Sequence, residues 1–149
     1  MHTRKRMILA SVLACLLVVL GVAWYYTAAN VTEESFTFEV VAPETTMKAG
    51  EPALFTVRLN NLTNWDLVLE HGAPLISLFL VPEGEAAQTG IVGASLMQTT
   101  LKAHQYAEEE FQIDASEAGN YVLVAFCAFE TNGKQYRYEC DDILISVTE

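Results

Sequence analysis

Thr131-Asn132-Gly133-Lys134 lies between two apolar-rich runs, 121–130 and 135–147. Asn-Gly at the centre of such a pair supplies the positive φ angles of a two-residue hairpin turn, whose twist matches that of the flanking strands. An antiparallel pair is therefore expected here, and its register is countable. If Thr131 pairs with Lys134, Cys127 faces Tyr138 and Cys140 faces Ala125.

The period of two that marks a half-buried strand recurs upstream. In 35–41 large apolar residues alternate with polar ones. In 53–60, Ala53, Phe55, Val57 and Leu59 share one face, while Leu54, Thr56, Arg58 and Asn60 share the other. Lys48-Ala49-Gly50-Glu51-Pro52 precedes this run as a turn and Asn60-Asn61-Leu62-Thr63-Asn64 ends it. The runs 65–70 and 75–81, separated by His71-Gly72-Ala73-Pro74, are each short enough for a strand, and 106–113 is another. Residues 83–100 contain Gly84, Gly90 and Gly93 with little periodicity and read as a long loop holding one weak strand.

Seven short strands without a helical period predict an all-β, immunoglobulin-like antiparallel sandwich over 35–149. Glu117-Ala118-Gly119-Asn120-Tyr121-Val122-Leu123 has the acid-x-Gly-x-Tyr-x-apolar form that leads into strand F of such folds. Tyr121 is thus the expected tyrosine corner, its hydroxyl bonded to backbone between Asp114 and Ala118. The alternative is an ordinary strand tyrosine after a Gly-Asn turn.

Lys48-Ala49-Gly50-Glu51 entering a strand, Asn60-Asn61-Leu62-Thr63 leaving it and Ala118-Gly119-Asn120-Tyr121 opening a late strand recur in that order. Over roughly residues 45–130 the chain resembles the BsuPI-type intracellular proteinase inhibitor family. The resemblance implies a β-sandwich that binds a serine proteinase.

Residues 7–26 contain no charged side chain. At about 1.5 Å per helical residue that length matches the ~30 Å hydrocarbon core of a bilayer. Arg4, Lys5 and Arg6 precede the run, and Trp24, Tyr25 and Tyr26 close it where aromatic rings settle at a membrane interface. The expectation is a cytoplasmic flank over 1–6, a transmembrane signal anchor over 7–26, a linker over 27–34 and an extracytoplasmic domain over 35–149. Two alternatives stay open: cleavage after a signal peptide near Thr27-Ala28-Ala29, and a lipobox at Val12-Leu13-Ala14-Cys15.

From Glu33 onward the chain has nineteen acidic and five basic residues, a formal charge of −14. Like-charge repulsion disfavours nucleic acid and anionic lipid as partners of that part. Cys15 reads as an apolar filler of the N-terminal run. Cys127 and Cys140 would stand in an oxidising compartment, where a disulfide between them is expected, although a plain hairpin register leaves them diagonal neighbours.

Catalytic patterns are sparse. His71 and His104 match no metal-ligand spacing, no G-x-S-x-G elbow is present, and each histidine reads as a loop or solvent-facing residue. Glu108-Glu109-Glu110 and the group Glu139, Asp141 and Asp142 read as solvated faces, without the fixed oxygen spacing of a calcium loop. No metal, cofactor or catalytic residue is assigned. Asn30-Val31-Thr32 and Asn61-Leu62-Thr63 match the glycosylation sequon, a motif short enough to arise by chance.

The sequence thus supports a non-enzymatic, membrane-tethered module that binds a protein or peptide through loops or a sheet edge. A proteinase inhibitor and a structural accessory domain of a membrane assembly are the alternatives.

Overall fold

The computed structural model describes residues 12–23, 30–41, 44–85 and 96–149, the Asp142 side chain excepted. The chain divides into two units, 1–32 and 33–149. In the first, 12–23 form a helix, a rise of about 18 Å against the ~30 Å of a bilayer core. Among the described residues no helix is long and apolar enough to cross a membrane. The remainder of the expected span, 7–11 and 24–26, lies outside the described residues, as do Arg4, Lys5 and Arg6.

The second unit is a two-sheet sandwich. Its strands are β1 (Phe36–Val41), β2 (Thr46–Lys48), β3 (Ala53–Asn61), β4 (Leu67–Pro82), β5 (Met97–Leu101), β6 (Tyr106–Ile113), β7 (Gly119–Thr131) and β8 (Lys134–Thr148). One sheet has the order β1-β3-β6 and the other β2-β8-β7-β4-β5. All pairs are antiparallel except β2 with β8. This is the immunoglobulin arrangement of strands A-B-E facing G-F-C-C′, with the short β2 added in parallel beside the last strand.

Alternation determines what is buried. Phe55, Val57 and Leu59 of β3 face inward at 1% exposure or less, against Leu123, Ala125 and Cys127 of β7, each at 0%. The hairpin turns at Asn132 and Gly133, with φ of 51° and 71°, and Thr131 pairs with Lys134 as the turn chemistry requires. Phe36 packs edge-on against Phe129, ring centroids 5.0 Å apart, and so ties β1 across to the far sheet.

Two interruptions keep that alternation in phase with the core. In β8 the pairs Leu123–Ile143 and Ala125–Cys140 leave Asp141 and Asp142 opposite Val124 alone. This β-bulge moves the inward positions from Tyr136 and Tyr138 to Ile145 and Val147. In β4 the register shifts between His71–Phe129 and Ile76–Cys127, so Gly72, Ala73, Pro74 and Leu75 stand opposite Ala128. The two separate strands expected over 65–70 and 75–81 are therefore one strand carrying a wide bulge.

Tyr121 donates its hydroxyl to the Glu117 carbonyl at 3.0 Å, the geometry of a tyrosine corner. Asn61 is a second fixed point, 1% exposed. Its side-chain amide donates to the carbonyls of Trp65 at 2.8 Å and of Leu101 and Lys102 at 3.1 Å each. Its Oδ1 accepts from the Thr63 backbone N–H at 2.9 Å and the Thr63 hydroxyl at 2.7 Å. The Asn61-Leu62-Thr63 sequon is thus an Asx turn whose amide nitrogen is fully engaged in the folded chain.

Tyr121→Phe removes one partly exposed hydrogen bond and should cost about 1 kcal/mol in urea denaturation. An unchanged midpoint would show that the corner is not stabilising. Asn61→Ala leaves carbonyls from two connections without their donor and should cost about 2–3 kcal/mol. A loss below that of Tyr121→Phe would mean that water replaces the amide.

Candidate functional site

His71-Gly72-Ala73-Pro74 breaks strand regularity because glycine lacks a Cβ and proline lacks an N–H. The expected loop histidine is instead buried: His71 is 5% exposed. Its Nδ1 lies 2.6 Å from the Gly72 carbonyl and its Nε2 lies 2.8 Å from the Thr99 hydroxyl on β5. A carbonyl only accepts, so Nδ1 carries a proton, and in the neutral ring Nε2 accepts from Thr99. Both ring nitrogens are spent on holding the bulge to the sheet. His104 is an exposed loop residue, with φ of 54° and its Nε2 2.8 Å from Asn64 Oδ1.

The bulge pushes Pro74 and Leu75 away from β7 and opens a cleft of about 450 Å³ between the sheets' adjoining edges. Its walls are Pro74, Leu75, Leu78, Phe79, Phe111 and Phe126, drawn from β4, β6 and β7. Phe79 stacks on Phe126 with centroids 6.2 Å apart and planes at 16°. Arg137 lies over the other ring, 5.6 Å from the Phe126 centroid. The cleft is an apolar recess that suits a hydrophobic side chain.

The acidic triplet of β6 separates by face. Glu108 accepts from Arg58 at 2.9 and 2.6 Å on the outer surface, and Glu110 is exposed. Glu109 points inward beside the bulge. Burial pushes its carboxyl above the ordinary range, opposed by the Ile76 backbone N–H and by His71. An inward carboxylate on an edge strand also makes that edge a poor template for further pairing. Glu139 pairs with Arg137 at 3.2 Å, and Asp141 is exposed in the β8 bulge. Among the described residues no group of His, Cys, Asp and Glu is arranged to hold a metal ion.

The structure holds Cys127 and Cys140 without the disulfide expected between them. Cys127 pairs with Tyr138 and Cys140 with Ala125, so the two are diagonal neighbours, separated by about 7–8 Å in an ordinary ladder, beyond disulfide reach. The β8 bulge falls after Cys140 and does not close the gap. Burial pushes the Cys127 thiol up to about 12, which leaves it unreactive at neutral pH.

A carboxyl with a raised folded-state pKa binds its proton more tightly in the folded chain. Its contribution favours folding at low pH and is lost as pH rises from the ordinary carboxylate range through the raised value. Glu109→Gln should therefore raise the urea midpoint at neutral pH, with the difference shrinking as pH falls through that window. A difference independent of pH would show that the carboxylate is solvated.

No family model and no curated protein matches the chain. Among solved structures, it is similar to the CARDB domain of a Pyrococcus furiosus protein in complex with di-metal ions, at 14% identity and a TM-score of 0.45, covering 80% of this chain and 94% of that one. It is similar to an ASH/PapD-like domain of human CEP192 at 12% identity and a TM-score of 0.43, covering 80% and 92%. A β-glucosidase from Listeria innocua matches at 11% identity and a TM-score of 0.45, covering 76% of this chain but 16% of that enzyme.

Proposed function

We propose that the protein is a protein-binding β-sandwich module tethered to a membrane by its N-terminal segment, with the sandwich on the extracytoplasmic side. The observation that carries the binding reading is the apolar cleft at the β4 bulge, where three phenylalanines meet. Phe79 remains 40% exposed at its mouth. The polar groups next to the cleft are engaged in structure: His71 with Gly72 and Thr99, and Arg137 with Glu139. That arrangement suits recognition by shape and burial better than proton transfer or nucleophilic attack. The tether rests on the uncharged run 7–26 with its basic and aromatic flanks.

The test is site-specific photo-cross-linking of the full chain in its native membranes. A cross-linker at Phe79 should capture a discrete protein partner, and one at Leu54, an exposed apolar residue of the other sheet, should not. Equal capture at both positions, or none at Phe79, would overturn the binding reading. In the same membranes, external protease should remove 35–149 from intact cells and leave a membrane-bound stub. A protected domain would overturn the proposed topology.

A further inference from the structure

The outer face of the five-stranded sheet is more apolar than a solvated sandwich face should be. An antiparallel sheet with one buried face ordinarily presents polar side chains on the other, and the three-stranded sheet does so with Thr37, Glu39, Arg58, Asn60, Glu108 and Glu110, with Leu54 and Tyr106 as separate apolar residues toward its ends. On the five-stranded sheet, Val81, Val122 and Leu144 form one cross-strand row. Phe79 and Val124 form the next, and Ser77, Phe126 and Glu139 the one after. Leu144 is 58% exposed and Phe79 40%, whereas Val124 at 4% and Phe126 at 7% are already buried, so the band opens to solvent at its Leu144 and Phe79 ends. Leu144 faces outward because the Asp141-Asp142 bulge shifts the phase of β8. The rows therefore make an apolar band across β4, β7 and β8 that runs into the cleft at Phe79.

The border of that band is predominantly acidic. Glu139 stands beside Phe126, and Asp141 is exposed in the bulge. Beyond Ala128 comes the row Glu70, Glu130 and Gln135. Arg137, which lies over Phe126, is paired with Glu139, so among the described residues the unpaired acidic charge of the border comes from Asp141, Glu70 and Glu130. The residues from Glu33 onward carry −14. A second copy would bring the same charge and an anionic lipid surface a similar one, both repelled at short range.

Resting on the binding reading above, we infer that the outer face of β4, β7 and β8 binds a basic polypeptide segment that places one aromatic or branched aliphatic side chain in the cleft beside Phe79. The exposed ends of the band, Phe79 and Leu144, supply the apolar contact, and the acidic border selects lysine- and arginine-bearing partners and speeds their approach.

The full chain in neutral-detergent micelles, panned against a random peptide display library, tests the assignment. Enriched sequences should carry Lys or Arg around a single Phe, Trp, Leu or Ile. Binding of the enriched peptides, read by fluorescence anisotropy, should weaken about tenfold or more in Phe79→Ser and in Leu144→Ser, should weaken with added salt, and should be unchanged in Leu54→Ser. Both substituted residues are exposed, and an unchanged far-ultraviolet spectrum and melting midpoint confirm that each variant is folded. Enrichment of acidic or uncharged sequences, binding indifferent to Phe79 and Leu144, or no enrichment would overturn the inference. Cross-linking at Phe79 in membranes would in that case leave the binding reading standing with a partner of different chemistry.

Discussion

The structure depends on keeping side-chain parity in long strands. A strand has a period of two, so a slip of one residue exchanges its buried and exposed faces. In β4 and β8 the apolar positions of the two halves are out of phase, and neither strand could bury both halves without an interruption. The Gly72–Leu75 bulge brings Leu69 and Ile76 to the same interior, and the Asp141-Asp142 bulge does the same for Tyr136 and Ile145. The other particular features of the molecule are consequences. The first bulge opens the cleft and requires a buried histidine to hold it; the second turns Leu144 outward.

Much of this fold is legible in the sequence because alternation is a local signal. β3 and β6 lie at 53–61 and 106–113, where Ala53, Phe55, Val57 and Leu59 alternate cleanly and where 106–113 carries a strand pattern. The hairpin is set by Asn132-Gly133 alone. β2 was missed because three residues paired in parallel at a sheet edge leave no periodic trace. The β8 bulge did leave one: Tyr136, Tyr138 and Cys140 occupy even positions, whereas Ile143, Ile145 and Val147 occupy odd ones, with two aspartates at the change.

The candidate site was legible only in its parts. His71-Gly72-Ala73-Pro74 announces a break, yet nothing local distinguishes a loop between two strands from a bulge within one. Sidedness decides, and it comes from Phe129 and Cys127 on β7. The cleft then draws Phe111 from β6 and Phe126 from β7, residues whose proximity is a property of topology. Asn61-Leu62-Thr63 shows the converse: a motif that reads as a modification signal is, in the folded chain, the clamp that fixes two connections. Glu108-Glu109-Glu110 reads in the sequence as a solvated face, and only the pairing of Glu109 with the buried Val57 turns its carboxylate inward.

The tight turn at Asn132-Gly133 also shapes how the chain reaches its folded state. β7 and β8 pair across two residues, so they form their ladder with little loss of chain entropy. The partners β1–β3 and β3–β6 are separated by much longer stretches, and a pairing that closes a longer loop costs more entropy before contacts repay it. The local hairpin is therefore the pairing with the lowest closure cost, and β4 lies on the other side of β7 in a register displaced at Ala128. The bulge divides β4 into two ladders on β7, Glu70–His71 and Ile76–Pro82, each with its own register within the sixteen residues of the strand.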